Sequence, residues 1–366
     1  LLQKLLADDG VIFISIDDTE CSNLILICNE IFGASNFVAN VSWQRTYSPR
    51  NDSKGIVSEV EHLVVFSKNP GWQPNKLPRT EAMDSRYKNP DNDVAPWKSS
   101  DAFAPGAATH QGMVYAIQHP FTGEMLYPSN GRCWRYQQSS MLEYMQGWCN
   151  YRLENLHDEK ERARVCGIDE SAVRKDVLAI VLEEPLEVSA AKAQKVYNRG
   201  RWPGFYFTKG GYGGIARKTY LENVGGRLPT NLWMYEETGH TDEAKKELIS
   251  LFGGRSPFDT PKPTRLLDFV LKVAGTSETL MLDSFAGSGT TAHAVLNANK
   301  ADNGNRHFIL IEMMDYANSI TAERVKRVIK GYGEGKNAVE GTGGNFSFYD
   351  LGEPLLVGDC LNEAVA

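Results

Sequence analysis

Apolar residues cluster into short runs near both ends of the chain. Residues 11–16 (VIFISI), 279–283 and 307–312 are almost continuously apolar. Such runs are typical of strands covered on both faces, as in a parallel sheet. The runs at 37–43 and 60–66 predict two further strands, joined as a hairpin by a long polar loop.

Helical spacing of apolar residues appears beside these strand-like runs. It predicts three amphipathic helices, because the apolar positions recur every three or four residues. The positions are Leu24, Ile27, Cys28 and Ile31; Leu266, Leu267, Val270, Leu271 and Ala274; and Ile320, Val325, Val328 and Ile329.

Between residues 69 and 254 the periodic pattern is lost. We therefore divide the chain into 1–68, a separate or inserted domain at 69–254, 255–333 and a C-terminal tail at 334–366. Within the insertion, Lys192 to Thr230 carries eight Lys/Arg against Glu222 alone, together with seven aromatic residues. Such a stretch can bind nucleic-acid phosphates and bases, or it can be a solvated face over an aromatic core.

Composition narrows the class of protein. The chain has 366 residues, of which 42% are apolar and 23% charged, and a net charge of −7, as in ordinary globular proteins. No apolar run reaches the roughly 18 residues of a membrane span. Six cysteines without a C-x-x-C pair favour a reduced, cytoplasmic protein without a bound metal. Because the chain opens on Leu1 inside a helix-like pattern, we expect a fragment whose N-terminus is missing.

A glycine-rich turn carries the clearest chemistry. Asp283 ends a strand-like run, Gly287 and Gly289 follow, and Glu312 ends the next run 23 residues after Gly289. Glycines let a ligand lie against the backbone, and an acidic residue at this spacing accepts hydrogen bonds from ribose hydroxyls. The pattern predicts a βαβ unit that binds an adenosine-type cofactor. The short remainder after Glu312 argues against the usual nicotinamide-binding layout, although that alternative stays open here.

The motifs together resemble a known family. Asp283-Ser-Phe-Ala-Gly-Ser-Gly-Thr-Thr291 looks like the S-adenosylmethionine motif of amino-group DNA methyltransferases of the permuted β order. The resembling segments elsewhere are Gly10 to Glu20, Glu30 to Phe37, Glu61 to Lys68, Phe258 to Pro263 and Phe308 to Glu312. Thr122 to Pro128, Gly131 to Arg135 and Leu228 to Trp233 resemble the modification (Mod) subunit of type III restriction–modification systems.

The resemblance implies a fold and a reaction. The fold class is α/β: a Rossmann-like, S-adenosylmethionine-dependent methyltransferase sheet split in sequence, with an inserted mixed α+β target-recognition domain. The reaction is methyl transfer from S-adenosylmethionine to the exocyclic amine of adenine in duplex DNA, with a cytosine amine as the less favoured target. A homodimer and a restriction subunit are implied as partners, and no membrane.

The resemblance also implies a set of site residues. The cofactor would be held by Asp283, Phe285, Gly287, Gly289, Thr290, Glu312, Lys262 and Pro263. The DNA substrate would be held by Trp43, His62, Phe66, Arg199, Arg201, Lys209, Arg217 and Lys218.

No catalytic residue is assigned. The family's catalytic motif, Asp-Pro-Pro-Tyr or a close variant, does not occur in the sequence. We expect the motif and its strand to precede Leu1, so that the chain alone is inactive. Two alternatives remain: a DNA-binding fragment without catalysis, and a nicotinamide-dependent oxidoreductase that uses the same glycine turn.

Overall fold

A computed structural model describes residues 1–48, 55–352, 356–357 and 360–361. The chain forms two compact units. The first comprises Leu1–Leu77 with Arg227–Ala366, and the second comprises Pro78–Gly226.

The strands, in chain order, are β1 (Val11–Ile16), β2 (Phe37–Gln44), β3 (Val60–Ser67), β4 (Trp97–Asp101), β5 (Phe103–Pro105), β6 (Ile117–Gln118), β7 (Met125–Leu126), β8 (Arg132–Trp134), β9 (Tyr151–Glu154), β10 (Ala179–Leu182), β11 (Phe205–Phe207), β12 (Ile215–Tyr220), β13 (Leu232–Trp233), β14 (Leu280–Asp283), β15 (His307–Leu310), β16 (Gly331–Tyr332), β17 (Val339–Glu340), β18 (Leu356–Val357) and β19 (Cys360–Leu361).

The α-helices are α1 (Leu2–Leu5), α2 (Cys21–Phe32), α3 (Glu81–Asp84), α4 (Gln138–Gln146), α5 (Glu159–Cys166), α6 (Leu186–Arg199), α7 (Tyr235–Thr238), α8 (Thr241–Phe252), α9 (Thr264–Ala274), α10 (Thr290–Asp302) and α11 (Glu323–Lys330). A π-helical segment, Ala317–Ala322, runs directly into α11. Short 3₁₀ turns lie at Ala34–Asn36, Gln111–Met113, Glu170–Ala172, Lys209–Gly211, Leu221–Asn223 and Gly335–Asn337.

The first unit contains a four-stranded sheet in the order β1-β3-β2-β13. β2 and β3 pair antiparallel, which confirms the predicted hairpin; residues 49–54 of its loop lie outside the described residues. The prediction that 11–16 is a parallel strand covered on both faces is wrong. β1 pairs antiparallel with β3 at the edge of the sheet, and its residues are mostly half-buried.

The glycine turn belongs to a separate two-stranded sheet. β14 and β15 pair in parallel, with α10 between them in sequence, which confirms the predicted βαβ unit. Neither strand is fully buried, contrary to the prediction. In the described part of the chain, no strand of this sheet pairs with the β1-β3-β2-β13 sheet, so the single split sheet stays a prediction.

Helix α9 packs in two neighbouring apolar clusters, one on each side. Its residues Leu266, Phe269 and Val270 pack with Trp43 and Leu63 of the β2–β3 hairpin. On the α10 side, Leu271 of the same helix packs with Ala294 and Val295. The predicted amphipathic stripe of α9 is therefore confirmed, and both ends of the chain contribute to this unit.

Helix α2 buries a different face from the one predicted. Cys21, Cys28 and Phe32 pack on Phe66, whereas Ile27 and Ile31 are 53% and 51% exposed. The sequence predicted the helix correctly, but the apolar residues that continue around it did not reveal which face would be covered.

The second unit mixes α and β structure around an aromatic core. Its sheets have the strand orders β7-β6-β10-β9, β11-β12-β4 and β5-β8. The buried aromatic side chains of this core include Trp97, Trp134, Trp148, Phe205 and Phe207. The unit is narrower than 69–254. Helix α8 within that range packs in the first unit instead, where Leu248 and Leu251 contact the apolar residues of α11.

None of the helices in the described ranges combines the length and the apolar character that a membrane span requires.

Candidate functional site

The glycine turn joins β14 to α10 and is shaped by two positive φ angles. Gly287 has φ +51° and Gly289 has φ +80°, values that favour glycine. A Cβ on Gly289 would lie 3.0 Å from the carbonyl oxygen of Thr321, and one on Gly287 would lie 3.3 Å from the ring of Phe258. A side chain at either position would be strained by the positive φ, and its Cβ would press on a close neighbour.

Glu312 lies just beyond β15 and contacts this turn directly. Its Oε2 accepts a hydrogen bond from the backbone N–H of Gly287 at 2.8 Å, and its Oε1 accepts one from the N–H of Met314 at 3.1 Å. Because β14 and β15 are parallel neighbours, their carboxyl ends bring the turn and the carboxylate together. In an open α/β sheet this edge is where ligands bind.

Asp283 braces the turn from its other end. Its Oδ1 accepts from the N–H of Phe285 at 3.1 Å, and its Oδ2 accepts from the hydroxyl of Thr291 at 2.6 Å. Both carboxylate oxygens are therefore occupied within the loop. This geometry favours the role of holding the turn.

The segment before α9 also contacts the turn. The Thr290 hydroxyl donates to the carbonyl oxygen of Lys262 at 3.1 Å, and Pro263 precedes the first helical residue. The Lys262 side chain pairs with Glu61 and lies 5.1 Å from the centre of the Trp43 ring. As placed, the ammonium group of Lys262 binds a glutamate of the β2–β3 hairpin, and its backbone supports the glycine turn.

Phe285 is 84% exposed at the tip of the turn. A large apolar side chain in this position is costly to leave in water, and a ligand that packs on it would remove that cost. Phe285 therefore does not fill the protein core, and its predicted contact with the cofactor stays a prediction.

Two of the residues predicted to contact the DNA substrate are buried, so these two predictions are wrong. Trp43 and Phe66 have no exposed surface. Trp43 donates from Nε1 to the carbonyl oxygen of Gly239 at 3.1 Å, and Phe66 packs in the core under α2. Trp43 and Phe66 lie on faces of the hairpin that other elements cover, so both side chains pack in the core.

His62 lies in a polar cluster at the end of β1. Its Nε2 is 2.7 Å from Oδ1 of Asp18, and its Nδ1 is 3.1 Å from Oδ1 of Asn40. The hydrogen bond with His62, together with one from Ser58, holds the pKa of Asp18 below its usual range. Asp18 was not among the predicted site residues.

The basic residues of the second unit differ in their environment. Arg199, Arg201 and Lys209 are exposed, and Arg217 is half-buried. Lys218 is buried, where its ammonium binds Asp91 at 2.5 Å as well as Asp93, so its prediction as a DNA contact is wrong. Charge alone did not distinguish a phosphate contact from a buried ion pair.

The residues that support the turn on its buried side were not predicted from the sequence. Arg324 and Thr321 contact it from α11 and the preceding π-helical segment, and Glu247 of α8 contacts Arg324. A signal was present in the sequence, since Arg324 stands directly beside Val325 in an otherwise apolar stripe. A charged residue at a core position requires a buried partner.

Comparison with known proteins identifies the family. A family model described as DNA methylase matches residues 1–323. The Mod subunit of the type III restriction-modification enzyme StyLTI of Salmonella typhimurium is 31% identical over 85% of this chain and 38% of its own length. The EcoPI Mod subunit of Escherichia phage P1 is 26% identical over 90% and 48%, and the type II methyltransferase M.KpnI of Klebsiella pneumoniae is 27% identical over 84% and 63%.

The chain thus spans between 38% and 63% of the length of these relatives. The family model, in contrast, covers most of the chain, including the hairpin, the second unit and the glycine turn. The chain belongs to the DNA methylase family.

Proposed function

We propose that this chain carries the cofactor turn and a DNA-recognition unit of an S-adenosylmethionine-dependent methyltransferase. The substrate is the exocyclic amine of adenine in duplex DNA, and the whole protein acts as a modification subunit. One observation carries the proposal: the Glu312 carboxylate lies 2.8 Å from the Gly287 N–H at the carboxyl ends of two adjacent parallel strands.

The residues present fit an adenosyl ligand. Gly287 and Gly289 leave the backbone bare, so that a ligand can approach it closely. Glu312 offers a carboxylate to ribose hydroxyls, and exposed Phe285 offers an apolar face. Asp283 and Lys262 hold the turn in shape, and Pro263 immediately precedes α9.

When bound, S-adenosylmethionine supplies an electrophilic methyl group on a sulfonium. The amine of adenine is a weak nucleophile, because its lone pair is delocalised into the ring. The protein must therefore position the amine and exclude water, and no covalent enzyme intermediate is needed. A base inside a duplex must first be flipped out, which costs a few kcal/mol.

DNA contact is proposed for the exposed basic side chains of the second unit. Arg199, Arg201 and Lys209 are exposed and available to phosphates, whereas Arg217 is half-buried with a buried Nε. His62, paired with Asp18 beside the carboxyl end of β1, is proposed to contact the target base. The partners proposed for the whole protein are a second copy and a restriction subunit.

The split sheet is also part of the proposal. Both β1 and β14 lie at the edges of their sheets, and both sheets share the core of α9. An additional strand between the two edges would complete the expected Rossmann-like sheet. Since the sequence contains no Asp-Pro-Pro-Tyr string, we expect no methyl transfer from the 366 residues alone.

Ligand binding and turnover test the proposal separately. In a thermal-shift assay, S-adenosylhomocysteine should stabilise the chain and NAD⁺ should not, because only a ligand of the native state raises the melting temperature. Transfer of tritiated methyl groups to duplex DNA should be absent. Stabilisation by NAD⁺ alone would favour the oxidoreductase alternative. Clear methyl transfer would contradict the prediction that the chain alone is inactive.

Glu312→Gln tests the key residue. The amide keeps the shape of the side chain but loses its charge, so the hydrogen bonds to ribose and to Gly287 weaken. We expect the Kd for S-adenosylhomocysteine to rise about tenfold, equivalent to about 1.4 kcal/mol. Glu334→Gln, at an exposed position beyond α11, is the matched control and should bind as the unmodified chain does. Equal affinities of the two variants would remove Glu312 from the site.

A further inference from the structure

The side chain of Arg324 is fully buried beneath the glycine turn. Its Nη1 donates to Oγ of Ser288 at 3.0 Å and to Oγ1 of Thr290 at 2.9 Å. These hydroxyls flank Gly289 in the sequence. One nitrogen of the guanidinium therefore binds both sides of the second glycine.

The other terminal nitrogen of Arg324 faces away from the turn. Nη2 donates to Oε2 of Glu247 at 2.8 Å and to Oγ1 of Thr264 at 3.0 Å. Nδ1 of His293 lies 3.1 Å from Nη2 and accepts from Nε of Arg324 at 3.4 Å. The Thr264 hydroxyl also donates to Glu247 at 2.6 Å. Because the guanidinium is planar and rigid, partners on both sides fix its position relative to α8 and α9.

Thr321, three residues before Arg324, binds the backbone of the same turn. Its hydroxyl donates to the carbonyl oxygen of Gly287 at 2.6 Å, and its own carbonyl lies against Gly289. Thr321 stands in the π-helical segment, a conformation that often marks functional sites. Residues 321 and 324 together contact each position of the turn from 287 to 290.

Stability alone does not explain a charge in this place. Burying a guanidinium carries a large desolvation cost, and an apolar side chain of similar size is often as stable. The N-terminus of α10 also carries a partial positive charge, which repels Arg324. What the guanidinium offers, and an apolar residue does not, is several directed hydrogen bonds to one short loop.

We propose that Arg324 and Thr321 are positioning residues that hold residues 287–290 in the ligand-binding conformation before the adenosyl ligand arrives. This inference deepens the proposed function and rests on it for the identity of the ligand. Both residues are buried. Their effect is on the affinity for the ligand, through the order of the turn.

Arg324→Lys tests the proposal with Arg327→Lys as its matched control. Lysine keeps the charge but cannot span Ser288 and Glu247 at once. Arg327 stands on the same helix, but it donates to Glu323 and to the carbonyl oxygen of Leu251. In the full chain we expect the Kd for S-adenosylhomocysteine to rise about tenfold or more for Arg324→Lys and less than twofold for Arg327→Lys.

A second measurement needs no ligand. Backbone hydrogen exchange of residues 286–291 in the ligand-free chain should become at least about tenfold faster in Arg324→Lys and stay unchanged in Arg327→Lys, because exchange reports local opening. Equal exchange in the two variants would overturn the inference. If the unmodified chain fails to bind S-adenosylhomocysteine, the proposed function fails, and hydrogen exchange still decides the role of Arg324.

Smaller changes keep the test independent of folding. Ser288→Ala removes the hydrogen bonds of its Oγ with Arg324 and Thr290, and Thr321→Val removes the one to Gly287. Both variants leave Arg324 paired with Glu247. Both should weaken binding and speed exchange in the same residues, by a smaller factor than Arg324→Lys does. If both variants fold and leave binding and exchange unchanged, the turn does not depend on these contacts and the proposal is wrong.

Discussion

His293 is the buried base of the network around Arg324. Its Nδ1 accepts from Arg324, which requires that nitrogen to carry no proton. Burial, with the charge of Arg324 beside it, lowers the pKa of His293 to about 3. Glu247, 3.7 Å away, and the ring of Tyr332 are the other titratable groups that face it. The native chain therefore keeps this histidine neutral across the physiological range.

The neutral histidine makes folding stability depend on pH. Between a pH of about 6.5 and about 3, the unfolded chain binds a proton at His293 and the native chain does not. Stability from this group is fully present above pH 6.5 and falls, as the pH drops, by up to about 1.4 kcal/mol per pH unit. His293→Asn keeps an acceptor toward Arg324 without this proton uptake, so urea unfolding between pH 7.5 and 5 should show a shallower loss.

His307→Asn is the control for that measurement. His307 is exposed on β15, so this variant shows the effect of a His→Asn change away from the buried network. Identical slopes for the chains with and without His293 would contradict a depressed pKa at this position.

Strand β12 places neighbouring basic residues of one stretch in different environments, one of them a buried ion pair. Successive side chains of a strand point to opposite faces, so Arg217 and Lys218 lie in different environments. Lys218 forms a buried ion pair with Asp91 and also binds Asp93 and the carbonyl oxygen of Trp202. The basic side chains at exposed positions remain free to meet phosphates.

Two variants separate these roles. Lys218→Met leaves two carboxylates of the second unit without their cation and should destabilise that unit by about 3–5 kcal/mol in urea unfolding. The triple variant Arg199→Ala, Arg201→Ala and Lys209→Ala should fold normally and bind duplex DNA more weakly. Its logarithmic salt dependence should flatten by up to about three ion equivalents. An unchanged salt slope would remove these three residues from the DNA contact.

The pattern of apolar and polar residues predicted where strands and helices lie better than it predicted which of their faces are buried. The βαβ unit and the hairpin follow from apolar runs and turn residues within about 30 positions of one another, and the structure confirms both. The burial of β1 and the covered face of α2 depend on which elements pack against them. Their sequences are apolar on more than one side, so the pattern did not indicate which side would be covered.

Across the whole molecule, the glycine turn was predictable and its support was not. Gly287, Gly289 and Glu312 can be identified from the sequence, because a tight turn and an acidic strand end restrict the residue type. Arg324 and Glu247 meet from positions 77 residues apart, through packing that no local pattern records. The boundary of the second unit was missed for the same reason, since α8 looked like part of an irregular region yet packs in the first unit.

The second unit leaves and re-enters the first at one point. The N–H of Leu77 donates to the carbonyl of Arg227 at 2.8 Å, and the N–H of Arg227 donates back to Leu77 at 2.9 Å. Two residues paired in this way are about 5 Å apart, so a short linker can join them. Leu77 is also buried in the core that contains Trp43 and Leu266, which ties the junction to the first unit.

Removing residues 78–226 and joining Leu77 to Arg227 through about four Gly and Ser residues should therefore leave the first unit folded. The shortened chain should unfold cooperatively and keep its affinity for S-adenosylhomocysteine, because the glycine turn, Glu312 and Arg324 all lie outside the deletion. DNA binding should be lost, since the exposed arginines go with the second unit. Inserting the same linker after Leu77 with the second unit retained shows the effect of the linker alone. A shortened chain that is unfolded, beside a folded insertion variant, would mean that the first unit needs the second for its stability.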